Sequence, residues 1–313
     1  MDEISTDQQR NQIQKITMMG CKGVGKTSMR TIIFGFSTPI ETKSLSSTLE
    51  IISNHIDLLG TPIQILDCGG QETLKNEYFN QKAEEVFSNL KVFVFVIEAE
   101  KISEEEEKYE LDFYEKCVEK VNDYSPNSKI FVLINKIDLI HDTRKNQVVS
   151  KRKKQIINIS GNFKVVFFLT SVWDDSLFIA WQEITSSLLF DRSKIAKNLE
   201  FIGVKCLFKE IMLFDPLSFL IFSYYSRDNI KDDSRFSKIS KVCKRIYLSC
   251  FNSDYGLTSF VYNCENFYIV FEKFVPKTYI LVVVDNLNIK PEFVSLNIAI
   301  LRKEYSNLFE QEK

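Results

Sequence analysis

Between an apolar run at 13–19 and a helix-forming stretch at 27–36, the chain reads Gly20-Cys21-Lys22-Gly23-Val24-Gly25-Lys26-Thr27. This is the pattern G-x-x-x-x-G-K-S/T, and it restricts the fold more than any other feature of the sequence. Its glycines let the backbone wrap tightly and turn successive N–H groups inward, as a phosphate chain requires. The helix that follows aims its N-terminal amides and dipole at the same charge. Such a loop works only where a strand hands over to a helix, so the N-terminal part must be an α/β fold. Lys26 is expected to reach the β- and γ-phosphates, and Thr27 to ligate Mg2+. The nucleotide contacts expected here are Gly20, Lys22, Gly23, Gly25, Lys26, Thr27 and Ser28.

The rest of the first 190 residues keeps to that class. Strand-like runs occur at 13–19, 51–59, 63–66, 92–97, 130–134 and 165–169. Helix-like stretches lie at 27–36, 104–122, 146–158 and 174–190. The runs 51–59 and 63–66 read as a hairpin around Gly60-Thr61-Pro62. The run 92–97 is continuously apolar, as a strand buried on both faces is, and 130–134 and 165–169 share that character. Strands alternating with helices imply a mainly parallel sheet with helices on both faces.

After about residue 195 the order changes. A helix at 194–207 precedes strands at 210–214 and 217–225, and then Phe236, Ile239, Val242, Ile246 and Cys250 fall at helical spacing. Strands at 257–264, 267–274 and 278–285 and a helix at 291–309, striped by Val294, Ile298, Leu301 and Tyr305, complete a separate α+β domain. The expected domains are 13–192 and 195–313. The stripe Phe236, Ile239, Val242 and Ile246 reads as core, and so do Trp173 and Trp181. The charge runs at 104–107 and 151–154 read as solvated helix faces.

Composition narrows the function. Forty Lys and Arg face 42 Asp and Glu, a net charge of −2, which speaks against a nucleic-acid partner. Two histidines make a His-rich metal site or a Ser-His-Asp triad an unlikely basis for activity. Seven cysteines without CxxC spacing read as reduced thiols of a cytosolic chain. No apolar run approaches the roughly 18 residues of a membrane span. The polar start and the Phe-Glu-Gln-Glu-Lys ending lack leader and lipidation signals. Direct membrane insertion is therefore not expected, and membrane attachment would need a partner.

Three further motifs follow in order. Asp67-Cys68-Gly69-Gly70 closes a strand, where Asp67 can hold Mg2+ through a water and Gly70 can let backbone approach a γ-phosphate. Gln71 comes next, with an amide able to orient an attacking water. Asn135-Lys136-Ile137-Asp138 follows the run 130–134. The two adjacent donors of guanine suit the Asp138 carboxylate, Asn135 can tie this loop to the phosphate loop, and the Lys136 stem can cover the ring. Thr170-Ser171-Val172 ends the next strand, where the Ser171 and Val172 amides can meet the guanine oxygen. Thr38, Thr42 and Thr48, in a polar and turn-rich segment, are candidates for a second Mg2+ hydroxyl. Thr48 is preferred because it lies just before the run 51–59. Arg30, on the helix behind the loop, reads as structural.

Taken in this order, the motifs resemble the Ras-like GTPases. The resemblance sharpens in 20–30 followed by Thr31-Ile32-Ile33-Phe34, and in Asp-Cys-Gly-Gly-Gln-Glu (67–72) followed by Asn76-Glu77-Tyr78-Phe79. Thr-Ser-Val-Trp-Asp-Asp-Ser-Leu (170–177) and Leu213-Phe214-Asp215 with Phe219-Leu220-Ile221 extend it. These stretches are similar to the Rag GTPases, in particular the RagA/RagB branch, over about residues 13 to 310. The resemblance implies a Ras-like GTPase domain followed by a roadblock/longin-like α+β domain. It implies GTP/GDP and Mg2+ as cofactors, low intrinsic GTP hydrolysis, and Gln71 and Lys26 as catalytic residues. It implies a heterodimer with a RagC/RagD-like subunit and amino-acid signalling to TORC1. A lysosomal or vacuolar scaffold complex would bring the cytoplasmic protein to the membrane, and activating and exchange proteins would set its nucleotide. Thr48 matches the family's metal-binding threonine. Asn135 departs from the branch, which usually has His there, and restores the general Ras-like motif. The stretch 140–162 matches poorly, so nothing is carried over to it. The alternatives are a monomeric Ras- or Arf-like GTPase with an accessory domain, and a scaffold that holds nucleotide as a structural element. A P-loop ATPase is disfavoured by Asp138.

Overall fold

A computed structural model describes residues 13–310 except 36, 47, 49, 59–60, 190–191, 216–217, 229–232, 252–256 and 276–277. The chain divides into two compact units, one built on Ile13–Ile56 and Ile63–Ile184, the other on Thr185–Lys313.

The first unit contains the strands β1 (Gln14–Met19), β2 (Ile51–Leu58), β3 (Thr61–Cys68), β4 (Leu90–Glu98), β5 (Lys129–Asn135) and β6 (Val165–Thr170). They form one sheet in the order β2-β3-β1-β4-β5-β6. The β1–β3, β1–β4, β4–β5 and β5–β6 pairs are parallel. The helices are α1 (Lys26–Ile33), α2 (Glu72–Phe79), α3 (Ala83–Phe87), α4 (Glu104–Tyr124), α5 (Asp142–Ile159) and α6 (Ser176–Ser186). Val92, Phe93, Val94, Phe95, Val96 and Ile97 are all buried, so β4 is covered on both faces as its sequence requires. Strand β6 is different: it lies at the sheet edge and Val166 is exposed, so burial on both faces does not extend to it. Strand β3 begins at Thr61, which moves Thr61 and Pro62 out of the expected turn and into the strand. Gly60 lies outside the described residues.

Helix α4 starts where Ser103 Oγ accepts the Glu106 N–H at 3.2 Å, and its acidic first turn suits the helix dipole. The charge runs are not simply solvated. Lys151 pairs with Glu107 at 2.7 Å, and Gln155 Nε2 donates to the same carboxylate at 2.7 Å. Arg152 and Glu110 form an ion pair, both buried between α4 and α5. Lys101 joins Glu110 at 3.4 Å and Glu98 at 3.1 Å.

The second unit has helix α7 (Arg192–Lys205), strands β7 (Glu210–Phe214) and β8 (Ile221–Ser226), helix α8 (Asp233–Phe251), strands β9 (Ser259–Asn263), β10 (Tyr268–Lys273) and β11 (Tyr279–Val284), and helix α9 (Pro291–Glu310). Its sheet runs β8-β7-β11-β10-β9, with antiparallel neighbours throughout. Met212, Phe214, Phe219, Ile221, Cys243, Phe271 and Tyr279 form its core. Val294, Ile298 and Leu301 of α9 are buried, as the stripe predicts. Helix α8 turns a different face inward: Ser240 and Cys243 are buried with Ile239 packed beside them, while Val242 is exposed. The side chains of Phe236 and Tyr305 lie outside the described residues.

Candidate nucleotide site

Parallel strands put their carboxyl ends along one edge of a sheet, and every motif of the first unit leaves a strand at that edge. Gly20 follows β1, Asp67-Cys68 ends β3, Asn135 ends β5 and Thr170 ends β6. In open α/β sheets ligands bind outside this edge, where the strand order reverses. Here the reversal is at β1, with β3 on one side and β4 on the other. The cleft beside it is lined by Lys22, Gly23, Gly25, Lys26, Thr27, Ser28, Thr42, Leu45, Ser46, Thr48, Gly70 and Gln71.

Gly25 caps α1 with φ +101°, and no side chain occupies the cap, which leaves the first-turn amides for an anion. A Cβ on Gly25 would lie 2.5 Å from Asn135 Nδ2. Lys26 is buried, and its ammonium donates to the Gly20 and Cys21 carbonyls at 2.8 and 3.0 Å. Burial pushes its pKa down to about 8, with the Asp67 carboxylate opposing the shift.

The three candidate threonines are separated by their partners. Thr38 Oγ1 donates to Glu41 at 3.0 Å and Thr42 Oγ1 to the Pro39 carbonyl at 2.8 Å. Thr48 Oγ1 lies 2.6 Å from Thr27 Oγ1. Asp67 is fully buried; its Oδ2 accepts Arg30 Nε at 2.9 Å, and its Oδ1 has no hydrogen-bond partner. These groups fit Mg2+. Adjacent ligands of an octahedral Mg2+ at about 2.1 Å stand about 3.0 Å apart, so the two hydroxyls, hydrogen-bonded at 2.6 Å, need only a small separation to bind one ion together. An unpartnered carboxylate oxygen adds the hard donor such an ion favours.

Behind them, the Gly69 position approaches the Thr48 carbonyl, and a Cβ on Gly70 would meet the Lys22 backbone nitrogen at 2.5 Å. Gln71 precedes α2 without a side-chain capping bond, and its carbonyl accepts the Lys75 N–H at 3.2 Å.

On the base side, Asn135 Nδ2 donates to the Val24 carbonyl at 2.7 Å, and Asn135 Oδ1 accepts from Thr170 Oγ1 at 3.1 Å. One amide thus joins the phosphate loop, β5 and β6. Lys136 has φ +60° and its ammonium pairs with Glu98 at 2.7 Å. Asp138 lies exposed in the short turn Ile137–Leu139. The Ser171 N–H donates to Ser176 Oγ at 2.9 Å, and Ser171 Oγ accepts the Trp173 N–H at 3.1 Å. The Ser171 amide is therefore engaged within its own loop, next to Val172.

Some of the site escapes sequence reasoning. Arg30, read as structural, sits on Asp67. Lys75 of α2 is buried; its Nζ donates to Tyr109 Oη at 2.8 Å and lies 3.6 Å from Cys21 Sγ of the phosphate loop. Trp181 is buried as expected, but Trp173 is half-exposed, with Lys43 Nζ 5.1 Å from its ring centre. The position of Trp173, next to Val172 in the base loop, was the available signal.

The sequence of this site and its surroundings has known counterparts. A family model described as the Gtr1/RagA G protein conserved region matches residues 15–243. Ras-related GTP-binding protein A of Dictyostelium discoideum is 31% identical over 93% of this chain and 96% of its own length. GTP-binding protein gtr1 of Schizosaccharomyces pombe is 31% identical over 93% of this chain and 94% of its own. Ras-related GTP-binding protein C of Homo sapiens is 25% identical over 65% of this chain and 51% of its own.

Proposed function

Because the chain belongs to the Gtr1/RagA family of G proteins, we propose that it is a guanine-nucleotide-dependent switch that binds GTP and hydrolyses it slowly. The observation that carries this reading is the pair of hydroxyls, Thr27 and Thr48, at 2.6 Å beside the phosphate loop. Thr48 comes from the segment that a γ-phosphate would have to hold, so the contact that completes a metal site also closes that segment.

Thr27 and Thr48, with Asp67 through a water, would hold Mg2+, which would supply positive charge at the phosphate oxygens. Lys26 would leave the Gly20 and Cys21 carbonyls for the β- and γ-phosphates and stabilise the charge that grows there. The Gly70 backbone would meet the γ-phosphate, and the Gln71 amide would orient the water for in-line attack. No arginine finger is assigned to the chain, so turnover should be on the order of 10⁻³ s⁻¹ or below without an activating protein. Asp138 would accept from guanine N1–H and its amine, Val172 N–H would donate to the guanine oxygen, and Asn135 would keep the base and phosphate loops in register.

The proposed setting is a heterodimer with a RagC/RagD-like chain, recruited by a scaffold to lysosomes or vacuoles in signalling to TORC1. The match to protein A-type relatives along nearly the whole chain, against a shorter match to a protein C-type chain, supports the A-type role. Among the described residues no helix is long and apolar enough to cross a membrane. Native mass spectrometry of the gently purified chain tests both parts at once. GDP or GTP together with one other chain of similar size is the expected spectrum. A lone chain carrying guanine nucleotide would overturn the heterodimer, and a partner without nucleotide would overturn the switch.

A further inference from the structure

Arg30 lies three residues after Thr27 and four after Lys26, so all three share one face of α1. Asp67, paired with Arg30, is thereby tied to the helix face that carries Thr27. The guanidinium is 15% exposed and the carboxylate is fully buried, so water screens the pair little. The carboxylate assigned to the metal site is thus paired with a guanidinium before any Mg2+ arrives. One oxygen, Oδ2, is committed to Arg30 at 2.9 Å, and only Oδ1 remains.

We propose that Arg30 is a positioning residue that fixes Asp67 by Oδ2 and, by offsetting its charge, lowers the affinity of the nucleotide site for Mg2+. The inference rests on the guanine-nucleotide reading. A carboxylate shared with a guanidinium attracts a divalent ion less than one left to it alone. Mg2+ then leaves the site at a higher free concentration, so bound nucleotide is released at Mg2+ levels that a tighter site would withstand. The effect belongs to the charge of Arg30 and to Asp67 together, which separates it from a packing role.

The test follows release of methylanthraniloyl-GDP from the full chain, with any co-purifying subunit, across a Mg2+ titration. Its readout is the Mg2+ concentration that gives the half-maximal effect. Arg30→Gln keeps a donor for Asp67 but removes the charge, and should lower that concentration by about tenfold or more. Arg30→Lys keeps the charge and, since Asp67 is held by the single Nε contact and not by a bidentate fork, should stay within about twofold of wild type. In an Asp67→Asn background, Arg30→Gln should change nothing further, because the coupling partner is gone. An unchanged or raised half-effect concentration for Arg30→Gln would overturn the inference while leaving the switch intact. If Arg30→Gln does not fold, a large shift in Arg30→Lys overturns it equally. A wild-type chain that retains no guanine nucleotide would overturn the switch reading first, and this inference with it.

Discussion

Gly25 cannot be replaced for two separate reasons. Its φ of +101° is one that L side chains rarely adopt, and a Cβ there would strike Asn135 Nδ2 at 2.5 Å. Backbone strain of this kind costs about 1–3 kcal/mol, and losing the Asn135–Val24 hydrogen bond adds about 1 kcal/mol. Gly25→Ala should therefore weaken GDP binding by tens of times or more, measured by titration with a fluorescent analogue; affinity within twofold of wild type would contradict the tie between the two loops. Gln71 is the opposite case. Its side chain makes no capping bond to α2, so little of the fold depends on it. Gln71→Leu should slow single-turnover GTP hydrolysis at least tenfold in the presence of an activating protein, because the water loses its orienting amide. GTP affinity should hold, and equal loss of binding and rate would argue against a water-positioning role.

The α4–α5 contact shows what an element can hide in its sequence. Arg152 and Glu110 are almost wholly buried, and removing one partner of such a pair costs about 3–5 kcal/mol. Burial pushes the Glu110 pKa up, against the pull of the Arg152 and Lys101 charges. Arg152→Met should lower the denaturant midpoint clearly, and Arg152→Met with Glu110→Leu should recover most of the loss. Failure of the double variant to recover would mean that the pair supports the fold beyond its own charge balance. The runs at 104–107 and 151–154 were legible as charged helix faces, but a sequence does not say which faces meet. The same limit applies to α2. Its buried positions are Leu74, Lys75 and Tyr78, and a buried lysine breaks the apolar stripe by which a helix is recognised. Lys75 is tolerated because Tyr109 Oη accepts a hydrogen bond from its ammonium and the rings of Tyr109 and Phe113 lie 4.1 and 4.0 Å away. In α8, small buried residues, Ser240 and Cys243, define the core face while the larger Val242 points out. The phosphate and base loops were legible because their residue types are set by local backbone and ligand chemistry. The Arg30–Asp67 pair was not, because it forms across 37 residues of chain.

At the scale of the molecule, each unit has a core that closes on itself. In the first, Ile16 and Met18 of β1, the apolar run of β4 and Phe113, Tyr114 and Cys117 of α4 are buried around a parallel sheet. In the second, the Phe219, Phe271 and Tyr279 rings stack on one another, Phe214 meets Phe219 and Phe271 at a tilt, and Cys243 of α8 belongs to the same core. Every residue assigned to nucleotide or Mg2+ belongs to the first unit. A ligand stabilises only the cooperative unit that binds it, by about 4 kcal/mol at a thousandfold excess over Kd. For a unit of this size that is on the order of 8–16 °C in melting temperature. Differential scanning calorimetry should therefore show two transitions, of which GDP with Mg2+ raises one and leaves the other within about 1 °C. EDTA should reverse part of the shift, since removing Mg2+ takes away the contribution of Thr27 and Asp67 but not that of the phosphate loop. Two transitions that rise together would mean that the units exchange free energy on nucleotide binding, and the second unit would then sense the nucleotide directly and not through a partner.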